Sequence, residues 1–153
     1  MIVFDGLYKL LRWCLGGIFI YAGVMKLFNP ESFAVIIGAY GLVPELLLLP
    51  TSLALPTLEI LAGAGLLFDI RGSLPLTAGL MILFMVVMGY GIWLGLDIDC
   101  GCFGPGDPEG KAFHGLKTAL CRDLFFLIGI VFLFGWRRFR GIIPAELALS
   151  GNR

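Results

Sequence analysis

Apolar residues in this chain gather into four long stretches, separated by shorter and more polar segments. The stretches lie at about residues 10–27, 46–68, 74–96 and 118–136. A helix needs roughly 20 mainly apolar residues to cross the hydrocarbon core of a bilayer, and each stretch has about that length. The pattern therefore predicts an all-α integral membrane protein, a four-transmembrane-helix bundle that forms a single domain over residues 1–153.

The segment between the first two stretches, residues 29–45, is apolar over too short a distance to cross a membrane. Only about 11 apolar-rich residues separate its acidic residues, against the roughly 20 that a span requires. We expect a short interfacial helix here, between spans one and two. Asn29 is its expected N-cap and Pro30 its first helical residue, because these residue types favour those positions.

Composition supports a membrane protein and excludes two other classes. Apolar residues make up 59% of the chain and charged residues 14%, whereas soluble domains average about 45–50% and 25%. Too few polar side chains are available to cover a water-facing surface, so a soluble globular protein is excluded. The 11 basic and 11 acidic residues give no net charge. Without a basic excess to hold a phosphate backbone, we expect no nucleic-acid partner.

Basic residues near the span ends predict the orientation in the membrane. One side would hold seven of them: Lys9, Arg12, Arg71, Arg137, Arg138, Arg140 and Arg153. The other side would hold four: Lys26, Lys111, Lys117 and Arg122. The side with more lysine and arginine normally faces the cytoplasm. We therefore expect both termini in the cytoplasm of a bacterial inner membrane, and the loop at 97–117 in the periplasm.

Two cysteines in that outward loop form the most informative segment of the chain. Cys100 and Cys102 stand in the sequence DCGCFG, just past the third stretch. A disulfide between residues i and i+2 requires a sharp turn, which Gly101 permits, and the small ring would be strained. Strained, exposed disulfides are the labile and catalytic ones, and an outward location favours oxidation. The pair is therefore a candidate redox couple, with metal binding or a structural disulfide as alternatives.

Cys121 is a third candidate for thiol exchange. It lies near the start of the fourth stretch, where the N-terminal end of a helix attracts negative charge, and Arg122 follows it. Exchange needs one attacking and one resolving thiol, so Cys121 would serve as a relay. The alternative is that Cys121 is an apolar packing residue. His114 would complete four soft-metal ligands, but the spacing matches no standard zinc motif, so we assign no metal ligand.

Charged residues inside the stretches are candidates for tuning or binding. Glu59 lies in the middle of the second stretch, where an acidic residue indicates a functional site by default. It would accept a proton or anchor a quinone-like head group, or else hold a neighbouring helix. Lys26 would reach it only if the two spans were staggered, and the sequence does not predict that pairing. Arg122 and Asp123 are adjacent, so one of them should face the bundle interior, where Arg122 would stabilise a thiolate.

These residues resemble the MauE family within the broader DoxX-like membrane proteins. The resemblance covers about residues 10–136 and is most specific at DCGCFG and Arg122-Asp123. Its looser part is carried by RWCLGGIFIYAGVMK (12–26), Asn29-Pro30, Phe33, Tyr40, Pro56, Glu59 and Gly63. The resemblance implies a four-span inner-membrane protein linked to a periplasmic thioredoxin-like partner and to disulfide formation in the small subunit of methylamine dehydrogenase. It also implies that Cys100 and Cys102 are the redox pair.

The first hypothesis is thus a thiol–disulfide redox protein. Its Cys100–Cys102 pair would exchange electrons with a periplasmic thioredoxin-like protein or with a periplasmic enzyme substrate. Re-oxidation would pass through Cys121, a quinone near Glu59 or an external oxidant. Quinone is the one cofactor that we consider, by analogy with vitamin K epoxide reductase bundles, whose Cys-x-x-Cys this chain lacks. The alternatives are a soft-metal ion carrier and a non-catalytic scaffold for assembling a periplasmic enzyme.

Overall fold

The structure, a computed structural model, describes residues 2–96 and 116–141. Five helices occupy these residues: α1 (Ile2–Phe28), α2 (Pro30–Ala39), α3 (Glu45–Leu67), α4 (Ser73–Trp93) and α5 (Leu116–Arg140). Four of them, all but α2, are long and apolar enough to cross a membrane. The predicted fold, four spans with a short helix between the first two, is therefore confirmed.

The four spanning helices form a closed ring around a shared core. α1 packs on α3, α3 on α4, α4 on α5 and α5 on α1, while α2 lies against α3 and the end of α1. The core side chains come from all four long helices and include Leu15, Leu66, Met81 and Ile130. Large apolar side chains such as Trp13, Leu46, Val86 and Phe125 stay exposed on the outside. This is the distribution expected of a bundle that is solvated by lipid.

Glycines set the close approach of α1 and α3. A Cβ at Gly63 would lie 2.6 Å from the carbonyl oxygen of Gly16, and one at Gly23 would lie 2.7 Å from that of Pro56. As the residue numbers of these contacts increase along α1, those of their partners decrease along α3, so the two helices are antiparallel. The α1 glycines are seven residues apart, two helical turns, and therefore share one face.

Three helix ends lie three or more residues from the predicted span boundaries. One is the end of α5, which extends to Arg140, four residues beyond the predicted end at residue 136. α1 begins at Ile2, eight residues before the predicted start at residue 10, because apolar residues continue on both sides of Asp5 and Lys9. α4 ends at Trp93 instead of residue 96. Gly95 adopts a left-handed conformation. The backbone amide of Leu96 donates a hydrogen bond to the carbonyl of Gly91, and the amide of Gly95 donates one to the carbonyl of Ile92. This is a Schellman motif, which terminates the helix.

The α2 helix begins as predicted but without the expected cap contact. Asn29 holds the N-cap position and Pro30 the first helical position, yet the Asn29 side chain makes no capping hydrogen bond. The backbone provides the connection instead, since the Asn29 amide donates to the carbonyl of Lys26. α2 therefore follows α1 after a single residue, which keeps its N-terminus close to Lys26.

Candidate functional site

A buried ion pair between Lys26 and Glu59 lies at the centre of the candidate site. Lys26 Nζ is 2.6 Å from Glu59 Oε1 and donates a hydrogen bond to it. Each side chain is only 4% exposed. The sequence predicts this pairing only for staggered spans. The structure brings the two residues together.

The direction of helical side chains explains how the two residues meet. Gly23 lies directly against Glu59, so Lys26 is about one turn farther along α1. Side chains on a helix incline toward its N-terminus. On two antiparallel helices, Lys26 and Glu59 therefore incline toward each other, and the long lysine side chain covers the remaining offset without a stagger.

Two aromatic rings enclose the ammonium group of Lys26. Its Nζ lies 5.3 Å from the ring centroid of Phe33 on α2 and 4.6 Å from that of Phe84 on α4. A cation over an aromatic face is attracted by the ring quadrupole, and more strongly where water is excluded. The lysine is thus held by α2, α3 and α4 together, which fixes its position inside the bundle.

Arg122 and Asp123 of α5 reach the same place. Together with Lys26 and Glu59 they line a cavity of about 40 Å³ between α1, α3, α4 and α5. Asp123 is the more deeply buried of the two, with 8% of its side chain exposed against 29% for Arg122. Asp123 is thus the residue that faces the interior more fully, while Arg122 lines the cavity and stays partly exposed. Arg122 Nε lies 3.4 Å from Asp123 Oδ1.

The second carboxylate oxygen of Glu59 has no hydrogen-bond partner among the described residues. A buried polar atom without a partner is costly, so one that persists calls for an explanation. The 40 Å³ cavity that Glu59 lines has room for about three or four water molecules, since each needs roughly 10–15 Å³. The arrangement is suited to holding or passing a proton between Glu59 and Asp123.

A second and larger cavity adjoins the charged one. It has a volume of about 300 Å³ and lies between α2, α3 and α4. Lys26 and Phe84 line both cavities, so their side chains form the wall between them. The rest of the lining is mainly aliphatic and aromatic, with Tyr40 and Thr51 as its other polar residues. We call this space the apolar cavity.

The described cysteines lie away from both cavities. Cys121 is exposed on the second turn of α5, two residues before Asp123 and therefore on the opposite face of the helix. Cys14 is exposed on α1. Cys100, Cys102 and His114 lie outside the described residues. The structure thus brings together Lys26, Glu59, Arg122 and Asp123. It places Cys121 on the outer surface of α5, the helix that carries Arg122 and Asp123.

These buried charges lie within a sequence that matches a known family. The family model described as Methylamine utilisation protein MauE matches residues 5–137. The chain belongs to the MauE family. No curated protein and no solved structure matches it. The matched range includes all seven candidate residues: Lys26, Glu59, Cys100, Cys102, Cys121, Arg122 and Asp123.

This MauE family member also has a charged network that sequence reasoning missed, at the opposite end of the bundle. Arg12 Nη1 lies 2.6 Å from Asp69 Oδ2, and Arg140 Nη2 lies 2.8 Å from Asp5 Oδ2. Trp136 Nε1 donates a second hydrogen bond to Asp5. Asp69 holds the left-handed position after α3 that glycine usually takes. The sequence signal for this network is that Asp69 lies among basic residues on one side of the membrane.

Proposed function

We propose that this MauE family protein is a bacterial inner-membrane thiol–disulfide redox protein. In this proposal, Cys100 and Cys102 exchange electrons with a periplasmic thioredoxin-like protein. That partner would in turn form disulfides in a periplasmic enzyme such as methylamine dehydrogenase. The family match supports the link with methylamine utilisation, and the two cysteines supply the chemistry.

The observation that carries the proposal is the convergence of four charged side chains inside the bundle, toward the end where α1 ends and α5 begins. Lys26 is two residues from the end of α1, and Asp123 is about two turns into α5. The segment with Cys100 and Cys102 leaves α4 and enters α5 at this same end. Forming a disulfide from a dithiol releases two protons. Carboxylates beside a cavity with room for water, as Glu59 and Asp123 are, can take up and release such protons.

The electrons and protons of this thiol–disulfide exchange balance without a metal or any further reactant. A partner thiolate attacks one sulfur of the Cys100–Cys102 disulfide, and the other sulfur leaves as a thiolate. The second partner thiol then attacks the mixed disulfide and releases the protein. The partner ends as a disulfide, having lost two electrons and two protons, and Cys100 and Cys102 end as a dithiol.

The test is a redox titration of the purified full-length protein. Thiol trapping in glutathione or dithiothreitol buffers gives the midpoint potential of the Cys100–Cys102 pair. We expect a reversible couple above about −300 mV, the level below which structural disulfides usually lie. Cys100→Ser and Cys102→Ser should each abolish the couple, while Cys14→Ser, which removes an exposed thiol on α1, should leave it unchanged.

The two alternatives give different results in the same experiment. A soft-metal carrier would show thiols that metal protects from alkylation with no change in oxidation state. A scaffold would keep the pair oxidised far below about −300 mV, and both serine variants would alter abundance without affecting electron transfer. Either result would contradict the redox proposal.

A further inference from the structure

The apolar cavity has the features of a small-molecule site. Its volume is about 300 Å³, at the lower end of the roughly 300–1,000 Å³ typical of ligand pockets. Aliphatic and aromatic side chains dominate its lining, among them Phe33, Leu55, Phe84 and Val87. Lys26 is the charged residue in that lining. Such a site selects an apolar molecule and fixes its orientation with a small number of polar contacts.

Lys26 offers hydrogen-bond donors that the described protein does not use. An ammonium group has three N–H donors, and Lys26 donates one of them, to Glu59 Oε1. Its positive charge is already balanced by that carboxylate at 2.6 Å. An anion would upset this balance, whereas a neutral carbonyl oxygen would accept a hydrogen bond without adding charge. The cavity therefore favours a neutral ligand with an acceptor oxygen.

The cavity reaches the outside of the bundle on its apolar surface. Leu42 and Leu83 line the cavity and are also 50% and 44% exposed. Leu83 lies in the middle of α4, a membrane-spanning helix. A ligand would thus enter from the bilayer and must itself be soluble in lipid. The flat rings of Phe33 and Phe84 on the cavity wall further suit a planar ring.

We propose that the apolar cavity binds the head group of a lipid-soluble quinone, with one carbonyl oxygen accepting a hydrogen bond from Lys26. The redox part of this inference rests on the proposed function above. There, the quinone takes two electrons and two protons and becomes a quinol, while the dithiol of Cys100 and Cys102 loses the same electrons and protons and becomes a disulfide. Glu59 lies next to Lys26 and lines the 40 Å³ cavity. Water in that cavity would supply the protons.

Neighbouring residues on α4 provide a matched pair of variants. Val87 lines the cavity, whereas Val86 is 63% exposed on the outer surface and does not line it. Val87→Phe fills part of the cavity, and Val86→Phe adds the same side chain outside it. The full-length protein in phospholipid nanodiscs is labelled with a photoreactive azidoquinone, and mass spectrometry locates the label.

We expect label on cavity-lining residues of α2, α3 or α4, displaced by decylubiquinone and not by decanol. Val87→Phe should lower labelling by about tenfold, because the ring occupies the ligand volume, and Val86→Phe should label like the wild type. Equal labelling of the two variants would overturn the inference. Equal displacement by decanol would also overturn it, since the cavity would then accept any acyl chain.

The role of Lys26 is tested with both members of the ion pair removed. Lys26→Met with Glu59→Leu leaves no unpaired buried charge and keeps apolar packing, so the variant should fold. We expect it to bind decylubiquinone about tenfold more weakly, because a hydrogen bond from a charged donor is lost. Unchanged affinity in a variant that elutes as the wild type on size exclusion would overturn the assigned contact.

Binding and electron transfer are separated by the cysteine variants. Cys100→Ser with Cys102→Ser should be labelled by the azidoquinone like the wild type, but should form no quinol from decylubiquinone. If the cysteine pair fails its redox titration while cavity labelling persists, the proposed function is wrong and the binding site stands. If the pair titrates reversibly and the cavity takes no label, the quinone inference is wrong and the proposed function stands.

Discussion

Lys26 and Glu59 form an ion pair of 2.6 Å inside the bundle, with each side chain 96% buried. Removing two charges from solvent is costly, and their attraction offsets that cost only while both are present. The pair therefore holds the end of α1 against the middle of α3 only while both charged side chains are present. The rings of Phe33 and Phe84 extend this connection to α2 and α4.

Breaking this pair should destabilise the protein far more than removing it. We expect Lys26→Met alone, or Glu59→Leu alone, to lower the free energy of unfolding by about 3–5 kcal/mol, because each leaves an unpaired buried charge. The double variant should recover most of that loss. Unfolding in detergent, followed by circular dichroism, measures these differences.

Lys9→Met is the matched control for the lysine substitution, since Lys9 lies on the exposed surface of α1. Its effect should stay within about 0.5 kcal/mol. A double variant that is as unstable as the sum of the two single variants would show that the residues act independently, against the expected coupling.

Glycines on α1 and α3 should respond to alanine with opposite signs. A Cβ at Gly63 would lie 2.6 Å from the Gly16 carbonyl oxygen, so Gly63→Ala should cost about 1–3 kcal/mol through overpacking. Gly17 is exposed, and a Cβ there would meet no atom within 4 Å. Gly17→Ala should therefore stabilise the helix by up to about 1 kcal/mol. Thermal unfolding of both variants in one detergent checks the sign.

The packing face of α1 shows where sequence reasoning reached its limit. The four spans follow from the length of apolar stretches, because a bilayer sets that length. Gly16 and Gly17 are adjacent, yet the structure packs Gly16 against α3 and leaves Gly17 exposed. A difference of one residue is a rotation of about 100° around the helix. Almost every side chain in a spanning helix is apolar, so hydrophobicity does not distinguish the lipid face from the bundle face.

The candidate site was predictable as separate residues and not as a constellation. Glu59, Arg122 and Asp123 stand out because charges inside a span are rare and functional. Their convergence depends on the antiparallel register of α1 and α3 and on the rotation of α5, which no local pattern encodes. The apolar cavity is still less visible, since its lining of leucine, valine and phenylalanine is common to every span.

Orientation in the membrane provides a third prediction. The Arg140–Asp5 pair of 2.8 Å places the start of α1 and the end of α5 at one end of the bundle. That end also holds Arg12, Arg71, Arg137 and Arg138, so the positive-inside rule predicts that it faces the cytoplasm. Alkaline phosphatase, which is active only outside the cytoplasm, should be active when fused after Gly110 and inactive when fused after Gly141.

A cytoplasmic reporter fused at the same two positions serves as the reciprocal control. Green fluorescent protein should fluoresce after Gly141 and stay dark after Gly110. The reverse result with both reporters would place Cys100 and Cys102 in the reducing cytoplasm, where disulfides are rare. The redox proposal would then lose the oxidising environment that it needs.

Cys121 and Cys14 form a natural comparison for the relay hypothesis. Both are exposed on spanning helices, but Cys121 lies near the start of α5, at the end where the Cys100–Cys102 segment joins the bundle. A relay thiol must attack or resolve the disulfide of that pair. We expect Cys121→Ser to slow re-oxidation of the reduced pair by about tenfold, and a disulfide between Cys121 and Cys100 or Cys102 to be trapped in the wild type. Cys14→Ser should change neither the rate nor the trapped species. If stopped-flow thiol trapping gives the same rate for both serine variants, Cys121 is an apolar surface residue that faces lipid, and re-oxidation proceeds without it.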